Sequence, residues 1–316
     1  MELLENCFRG DGMGSLFHRG AFFRLHEDAP GLYFEGYDGA DCQLCIHFTP
    51  QADGVWRSPG RGTYGGYATA AGLPLQAWIA AHRHIEQRLR ERGARAIEIL
   101  PAPMAHDAVA FANQCYVLSA HGYALERCDL NHSLAVDDRP LVERMSRGNA
   151  KRLRKCEREG LAARRLEPQA LASVYEVLRA NREARGYALS MSLQQLQQMQ
   201  TLFPDRLLCF GCGDAARLAA GAVCLQLDAR VLYVFYWGER PGFETHSPVV
   251  AVADAIYTHC RAAGLALLDV GTSTIGSEAN TGLIAFKRHL GFEESLKLRF
   301  VRRFDVAAAD GDRHGP

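Results

Sequence analysis

Four side chains in the last third of the chain have types and placements suited to proton transfer or charge stabilisation. Lys287 lies inside the apolar stripe that Leu283, Phe286 and Leu290 draw on a helical wheel. A lysine among core positions either extends its head to water or has a task at a buried interface. Asp269 ends the apolar run LALLDV, where a strand-to-helix loop often presents functional groups. There it would accept a proton from an attacking amine, directly or through water, or else cap the TSTIG turn that follows. Tyr236, in the strand-like run VLYVFYW, fits an acid for a departing thiolate or alkoxide, and equally a packed core ring. Asn280 either orients a substrate or caps the next helix.

A second group is suited to anions. Arg144, Arg147, Lys151, Arg154, Lys155 and Arg158 fall within one narrow arc of a helix expected over 141–159. That face suits coenzyme A phosphates, a nucleotide-sugar or lipid pyrophosphate, or tRNA, and is equally a solvated face with acidic neighbours. No aromatic residue interleaves with it, which argues against binding single strands by base stacking. The loop ERPGFETH leads into Ser247-Pro248, an N-cap followed by proline at the first helical position. Gly242, Thr245, His246 and Ser247 would offer an anionic donor backbone amides and the positive end of a helix dipole, with Lys151 and Arg154 adding charge. Pro241 removes one donor there, and Glu239 and Glu244 would repel phosphate.

Composition narrows the classes. The chain has 316 residues, 48% hydrophobic and 23% charged, with formal net charge +0. That balance fits a soluble globular protein and argues against a dedicated DNA binder. No apolar run is long enough to span a membrane, no secretory signal is visible at the N-terminus, and most of the ten cysteines read as small, reduced core residues, which fits a cytoplasmic protein. The pairs Cys42/Cys45 and Cys209/Cys212 sit in strand-like runs, where residues three apart face opposite sides, so no metal site is expected from them. G-x-S-x-G, H-E-x-x-H and G-x-x-x-x-G-K-[ST] are absent from the sequence.

The elements that must position these residues occur twice, about 170 residues apart, the mark of an internal duplication. Gly66 matches Gly238, Gly93 matches Gly264, and Gly122 matches Gly291. Tyr64 falls on Tyr236, Glu98 on Asp269, and Leu118 on Lys287. Each half reads as antiparallel strands followed by strand, helix, strand, helix, strand. The polar stretch 137–150 is the expected junction. An α/β protein of two similar layered domains follows, with mixed sheets flanked by helices.

This order of elements resembles the GNAT acyltransferase fold. The segment DVGTSTIGSEANTGLIAFKRHLGF, with SRGNAKRLRKCEREGL and GTYGG upstream, is similar to the tandem GNAT branch that includes FemAB-like aminoacyltransferases. The turn Asn280-Thr281-Gly282-Leu283, leading into Phe286-Lys287 and Leu290-Gly291-Phe292, is its most specific part. The resemblance implies a degenerate N-terminal GNAT-like domain over 1–138, a catalytic one over 139–305, and a disordered tail over 306–316. It implies transfer of an acyl group from acyl-CoA, or of an aminoacyl group from tRNA, to a small-molecule or cell-envelope amine held between the domains, with a non-catalytic tandem GNAT binding protein as the alternative. Lys287 would then stabilise the oxyanion, and Arg182, Arg185 and Tyr187 in NREARGY would contact substrate phosphate or carboxylate. By residue type alone, that segment is a helix end capped by Gly186. Tyr64 and Gly65, in the glycine-rich stretch 58–66, would present a backbone-amide loop to substrate, or simply make a tight hairpin. The loop before Ser247 lacks the R/Q-x-x-G-x-G/A spacing of acetyl-CoA-binding GNAT proteins.

Overall fold

The computed structural model describes residues 1–10, 13–25, 30–213 and 217–304. The chain forms two compact units, Met1–Cys128 with the chain from Lys297 onward, and Asp129–Leu296. The expected tail over 306–316 lies outside the described residues.

The first unit contains β1 (Glu2–Glu5), α1 (Gly20–Leu25), β2 (Leu32–Asp38), β3 (Asp41–Pro50), β4 (Val55–Ser58), β5 (Ala68–Thr69), α2 (Leu75–Glu91), β6 (Ala96–Ile99), α3 (Ala108–Ala120) and the start of β7 (Ala124–Ala135). The second continues with α4 (Arg147–Arg158), β8 (Ala163–Leu166), α5 (Leu171–Glu183), α6 (Leu193–Leu202), β9 (Leu207–Gly213), β10 (Leu218–Gln226), β11 (Val231–Glu239), α7 (Pro248–Ala262) and β12 (Leu267–Thr272). A small hairpin of β13 (Thr274–Ile275) and β14 (Glu278–Ala279) precedes α8 (Thr281–His289) and β15 (Glu293–Arg303), which ends in the first unit.

Each unit carries a mixed run of strands. In the first the order is β1-β2-β3-β4-β6-β15, with β5 on β3, and only β4 and β6 run parallel. In the second it is β7-β12-β11-β10-β9-β8, and only β11 and β12 run parallel. Parallel neighbours need a crossover, and α2 and α7 supply it. Ile46, Trp78, Leu89, Ile97, Leu298 and Phe300 are among the residues filling the first core. Phe210, Leu232, Val250, Tyr257 and Leu290 do so in the second.

The duplication is visible at the helix ends. Gly93 and Gly264, with φ of 85° and 66°, close α2 and α7. Gly122 and Gly291, at 78° and 93°, close α3 and α8. The next amides return to matching carbonyls, Tyr123 N–H to Leu118 O at 3.0 Å and Phe292 N–H to Lys287 O at 3.1 Å. Leu118 and Lys287 are therefore equivalent positions. The match of Tyr64 with Tyr236 and of Gly66 with Gly238 does not hold. Arg57 lies opposite Glu98 and Tyr233 opposite Asp269, so these strands align Arg57 with Tyr233. The first copy leaves its strand at Ser58, whereas β11 runs straight on to Glu239.

Two expected boundaries also move. The units divide at 128/129, inside β7, rather than at 138/139. The helix expected over 141–159 begins only at Arg147, because the Ser146 side chain accepts the Asn149 amide and caps it there. Arg144 thus precedes the helix and pairs with Asp137. Cys209 and Cys212 are buried in β9, and burial pushes both thiols up to about 12. Among the described residues, no group of three or more His, Cys, Asp or Glu could hold a metal ion. No helix there is long and apolar enough to cross a membrane.

Candidate active site

β11 and β12 pair only from Val231 to Tyr233 against Leu267 to Asp269, and then separate. A cavity of about 630 Å³ opens among the elements around this splay, and every residue lining it belongs to the second unit. The end of β11 contributes Trp237, Gly238 and Glu239, the first turn of α7 Val249, and the passage from β12 into β13 Thr272 to Thr274. Asn280, Gly282, Leu283 and Phe286 come from the start of α8, and Asn181, Arg182, Arg185 and Tyr187 from the end of α5. A crevice beyond the carboxyl ends of parallel strands, facing a helix N-terminus, is the usual ligand position in α/β sheets.

The cavity holds separated charges. Neither Arg182 nor Arg185 makes a side-chain hydrogen bond or ion pair to another described residue. Burial, and then the neighbouring Arg185, hold the Arg182 guanidinium below its ordinary range. Across from them burial pushes the Glu239 carboxyl up, against a hydrogen bond from the Val249 amide. Among the described residues Glu239 Oε2 is buried without a hydrogen-bond partner. Asn181 Nδ2 donates to the Glu239 carbonyl at 2.6 Å and fixes the end of β11 against α5. A side chain on Gly238 would collide with Asn181 at 2.8 Å, so this close approach requires glycine.

Lys287 and Asp269 lie behind the cavity wall rather than on it. Lys287 is 1% exposed, and its Nζ donates to the carbonyls of Gly271 at 2.8 Å and Thr272 at 3.0 Å. Burial lowers its pKa to about 7, partly opposed by Asp269. Asp269 is also 1% exposed and accepts from Asn131 Nδ2 at 2.9 Å and from the Gly271 amide at 2.7 Å. Together they hold the turn at Gly271, φ 73°, that carries the β12 end into the cavity.

No protein-family model matches the sequence, and no curated protein matches it significantly. Solved structures do match in shape. FemX is similar over 96% of this chain and 98% of its own, at 14% identity and a TM-score of 0.71. L-PGS from Bacillus licheniformis matches over 95% and 91%, at 12% identity and 0.60. A tandem GNAT protein from the clavulanic acid biosynthesis pathway matches over 96% and 98%, at 14% identity and 0.53. The chain has the tandem GNAT fold of FemAB-like proteins.

Within this FemAB-like fold, the residues singled out from the sequence fall into three sets. Asn280, Arg185 and Tyr187 come together in the cavity. Asn280 also caps α8, its Oδ1 accepting the Leu283 amide at 3.0 Å. Tyr236 is buried on β11 and its hydroxyl meets Ser190 Oγ, outside the cavity lining. Burial raises its pKa, and the bond to Ser190 works against that. The expected donor loop is tied to α4 instead of facing the cavity. Lys155 Nζ donates to Thr245 O at 3.0 Å, Cys156 Sγ to His246 O at 2.9 Å, and His246 Nε2 lies 2.8 Å from Glu159. The Gly242 amide is taken by the Glu244 side chain at 2.9 Å. Ser247 holds the cap position with φ 50°, but its hydroxyl turns back to Glu244 O, so it makes no side-chain cap. Lys151 lines a separate cavity of about 570 Å³ along α4, and Arg154 is exposed on the same helix.

Tyr64 and Gly65 belong to the first unit. The Tyr64 ring is buried edge-on to Phe17, with centroids 5.0 Å apart. Two amides of the expected loop are bonded within the unit: Gly65 N–H to Leu100 O at 2.8 Å and Gly66 N–H to Ser58 Oγ at 3.0 Å. Sequence reading missed Ser273, which lines the cavity and meets His132 Nδ1 at 3.1 Å. It noted Glu239 only as a repulsive charge in a loop, although period-two alternation from Trp237 would have set both on one face of β11.

Proposed function

We propose that this chain is an acyl- or aminoacyltransferase acting on an amine, with the acyl end of the donor bound in the cavity of the second unit. The observation that carries this reading is the open splay of β11 and β12, with unpaired Arg182 and Arg185 facing Glu239 across the cavity. In the reaction the amine nitrogen forms a bond to the donor carbonyl carbon, and the carbon–sulfur or carbon–oxygen bond to the leaving group breaks. The amine's proton passes to a base, and the leaving group departs as thiol or alcohol. Positioning supplies much of the rate: Arg185 and Tyr187 grip one substrate, and Asn280 fixes the mouth of the cavity. Lys287 and Asp269 act as positioning residues, through the Gly271–Thr272 backbone they hold.

Acyl-CoA is the donor expected first. Aminoacyl-tRNA is favoured by one observation, the Glu239 carboxylate at the first turn of α7. That carboxylate takes a helix amide that a pyrophosphate would need, and it would attract an α-ammonium group. Lys151 and Arg154 on α4 would then meet RNA phosphate.

A thermal-shift panel of acyl-CoAs and charged tRNAs at two salt concentrations, followed by a transfer assay to amines, tests the reading. One donor class is expected to raise the melting temperature, with tRNA binding falling steeply as salt rises. Arg185→Ala is expected to weaken donor or acceptor binding by about 10- to 100-fold, the worth of a charge-assisted hydrogen bond. Failure of both donor classes to bind, with no transfer, would overturn it.

A further inference from the structure

Ser273, His132 and Glu294 form a connected set that neither the duplication nor the residues discussed above account for. Ser273 lines the cavity, and its Oγ lies 3.1 Å from His132 Nδ1. The imidazole is fully buried, with Nε2 3.5 Å from Glu294 Oε1, just beyond a made hydrogen bond. A buried serine–histidine pair can exist only to satisfy a ring nitrogen. Three features argue for more. Ser273, 1% exposed, is one of the residues that line the same space as Arg185 and Glu239. Glu294 Oε1, which also accepts from Arg288 Nε, faces the nitrogen that must carry the proton if Nδ1 is to accept from serine. The peptide just before Ser273 is held by Lys287, so the serine backbone is fixed from behind. The two nitrogens are used in the opposite order from the serine-protease arrangement, but the roles are those of nucleophile, base and orienter.

The geometry points to Ser273 as a nucleophile, with His132 as its base and Glu294 as the residue that orients the imidazole, so that the acyl group passes through an ester on Ser273. This rests on the acyltransferase reading and deepens it. Ser273 Oγ bonds to the donor carbonyl carbon, and its proton moves to His132 Nδ1. The bond to the leaving group breaks, and that group takes the proton from Nδ1. The acceptor amine then attacks the ester, its proton goes to Nδ1, the Ser273 carbon–oxygen bond breaks, and Ser273 regains the proton.

The full-length protein is incubated with p-nitrophenyl acetate and, separately, with a fluorophosphonate. Intact mass and peptide mapping then locate any adduct. A single adduct on Ser273 is expected, lost in Ser273→Ala and formed about 10³-fold more slowly, or less, in His132→Gln. Glu294→Gln is expected to label more slowly and to shift the pH profile of labelling, which a merely structural carboxylate would not do. Melting curves establish that each variant is folded, and Ser273→Gly replaces Ser273→Ala should that variant unfold. Folded wild-type protein with no adduct on Ser273 from either reagent would overturn the proposal. Amine transfer at wild-type rate by Ser273→Ala would overturn it and leave the acyltransferase reading standing. Labelled Ser273 without transfer from any thioester or ester donor supports the nucleophile and sinks that reading.

Discussion

At the scale of single residues, Lys287 shows how a charge out of place in an apolar stripe acquires a purpose. Its side chain ends on two carbonyls that lie 16 and 15 residues earlier in the chain. The helical wheel exposed the oddity, because Leu283, Phe286 and Leu290 surround it. The destination could not be read, since it depends on how β12 turns at Gly271. Ser273 and His132 were less legible still, being 141 residues apart with neither in a motif. Lys287 also has a testable signature. Burial lowers its folded pKa to about 7, below the ordinary lysine value of 10.5. Between those values the unfolded chain holds a proton that the folded chain does not, so stability rises with pH across this window. Wild-type protein should therefore gain on Lys287→Met from pH 7 to 9.5, by up to about 1.4 kcal/mol per pH unit. Urea midpoints at both pH values measure this, and equal shifts in the two proteins would contradict it.

Elements carry the duplication, and they also carry its asymmetry. In the first unit the parallel pair β4 and β6 is extended beyond Ser58, because Gly65 returns to bridge Pro101. In the second the corresponding strands part after Tyr233 and Asp269 and leave the cavity. One copy has its crevice closed by the loop 59–66, and the other keeps it open. The glycines were legible because a left-handed residue after a helix favours glycine in any context. The strand register was not, since six residues inserted after Ser58 look like any other glycine-rich turn. The shared caps still differ in tightness. A methyl group at Gly264 meets nothing within 4 Å, whereas at Gly291 it meets the Arg144 Cβ and carbonyl, both at 3.0 Å. Gly264→Ala should cost about 1 kcal/mol, and Gly291→Ala distinctly more, about 2–3 kcal/mol. Chemical denaturation of the two variants checks the order, and equal losses would show that the Arg144 contact relaxes freely.

For the molecule as a whole, the polar stretch 137–150 marked a junction that packing does not use. β7 continues through 128/129 without a change in composition, so nothing in the sequence flags the boundary. The other boundary lies within β15, whose residues Leu298 and Phe300 fill the first core. Phe300 pairs with Ile99 on β6. A fragment cut at the sequence junction, residues 1–138, lacks that strand and should be a loosely packed species. Weak near-ultraviolet circular dichroism and poor amide dispersion are expected, with addition of a peptide covering 293–304 restoring both. A well-dispersed spectrum from 1–138 alone would show that β15 is dispensable.

The same path of the chain sets a timetable for synthesis. On the ribosome residues 1–128 of the first unit emerge before the second unit, yet the part of β15 that belongs to the first unit emerges only after it. The second unit, 129–296, is complete before residues 297–303 of that strand appear, so the part that is made later has all of its residues first. While the second unit is being made the first waits with the edge of β6 uncovered, the state in which unpaired strands are prone to aggregate and chaperones are most useful.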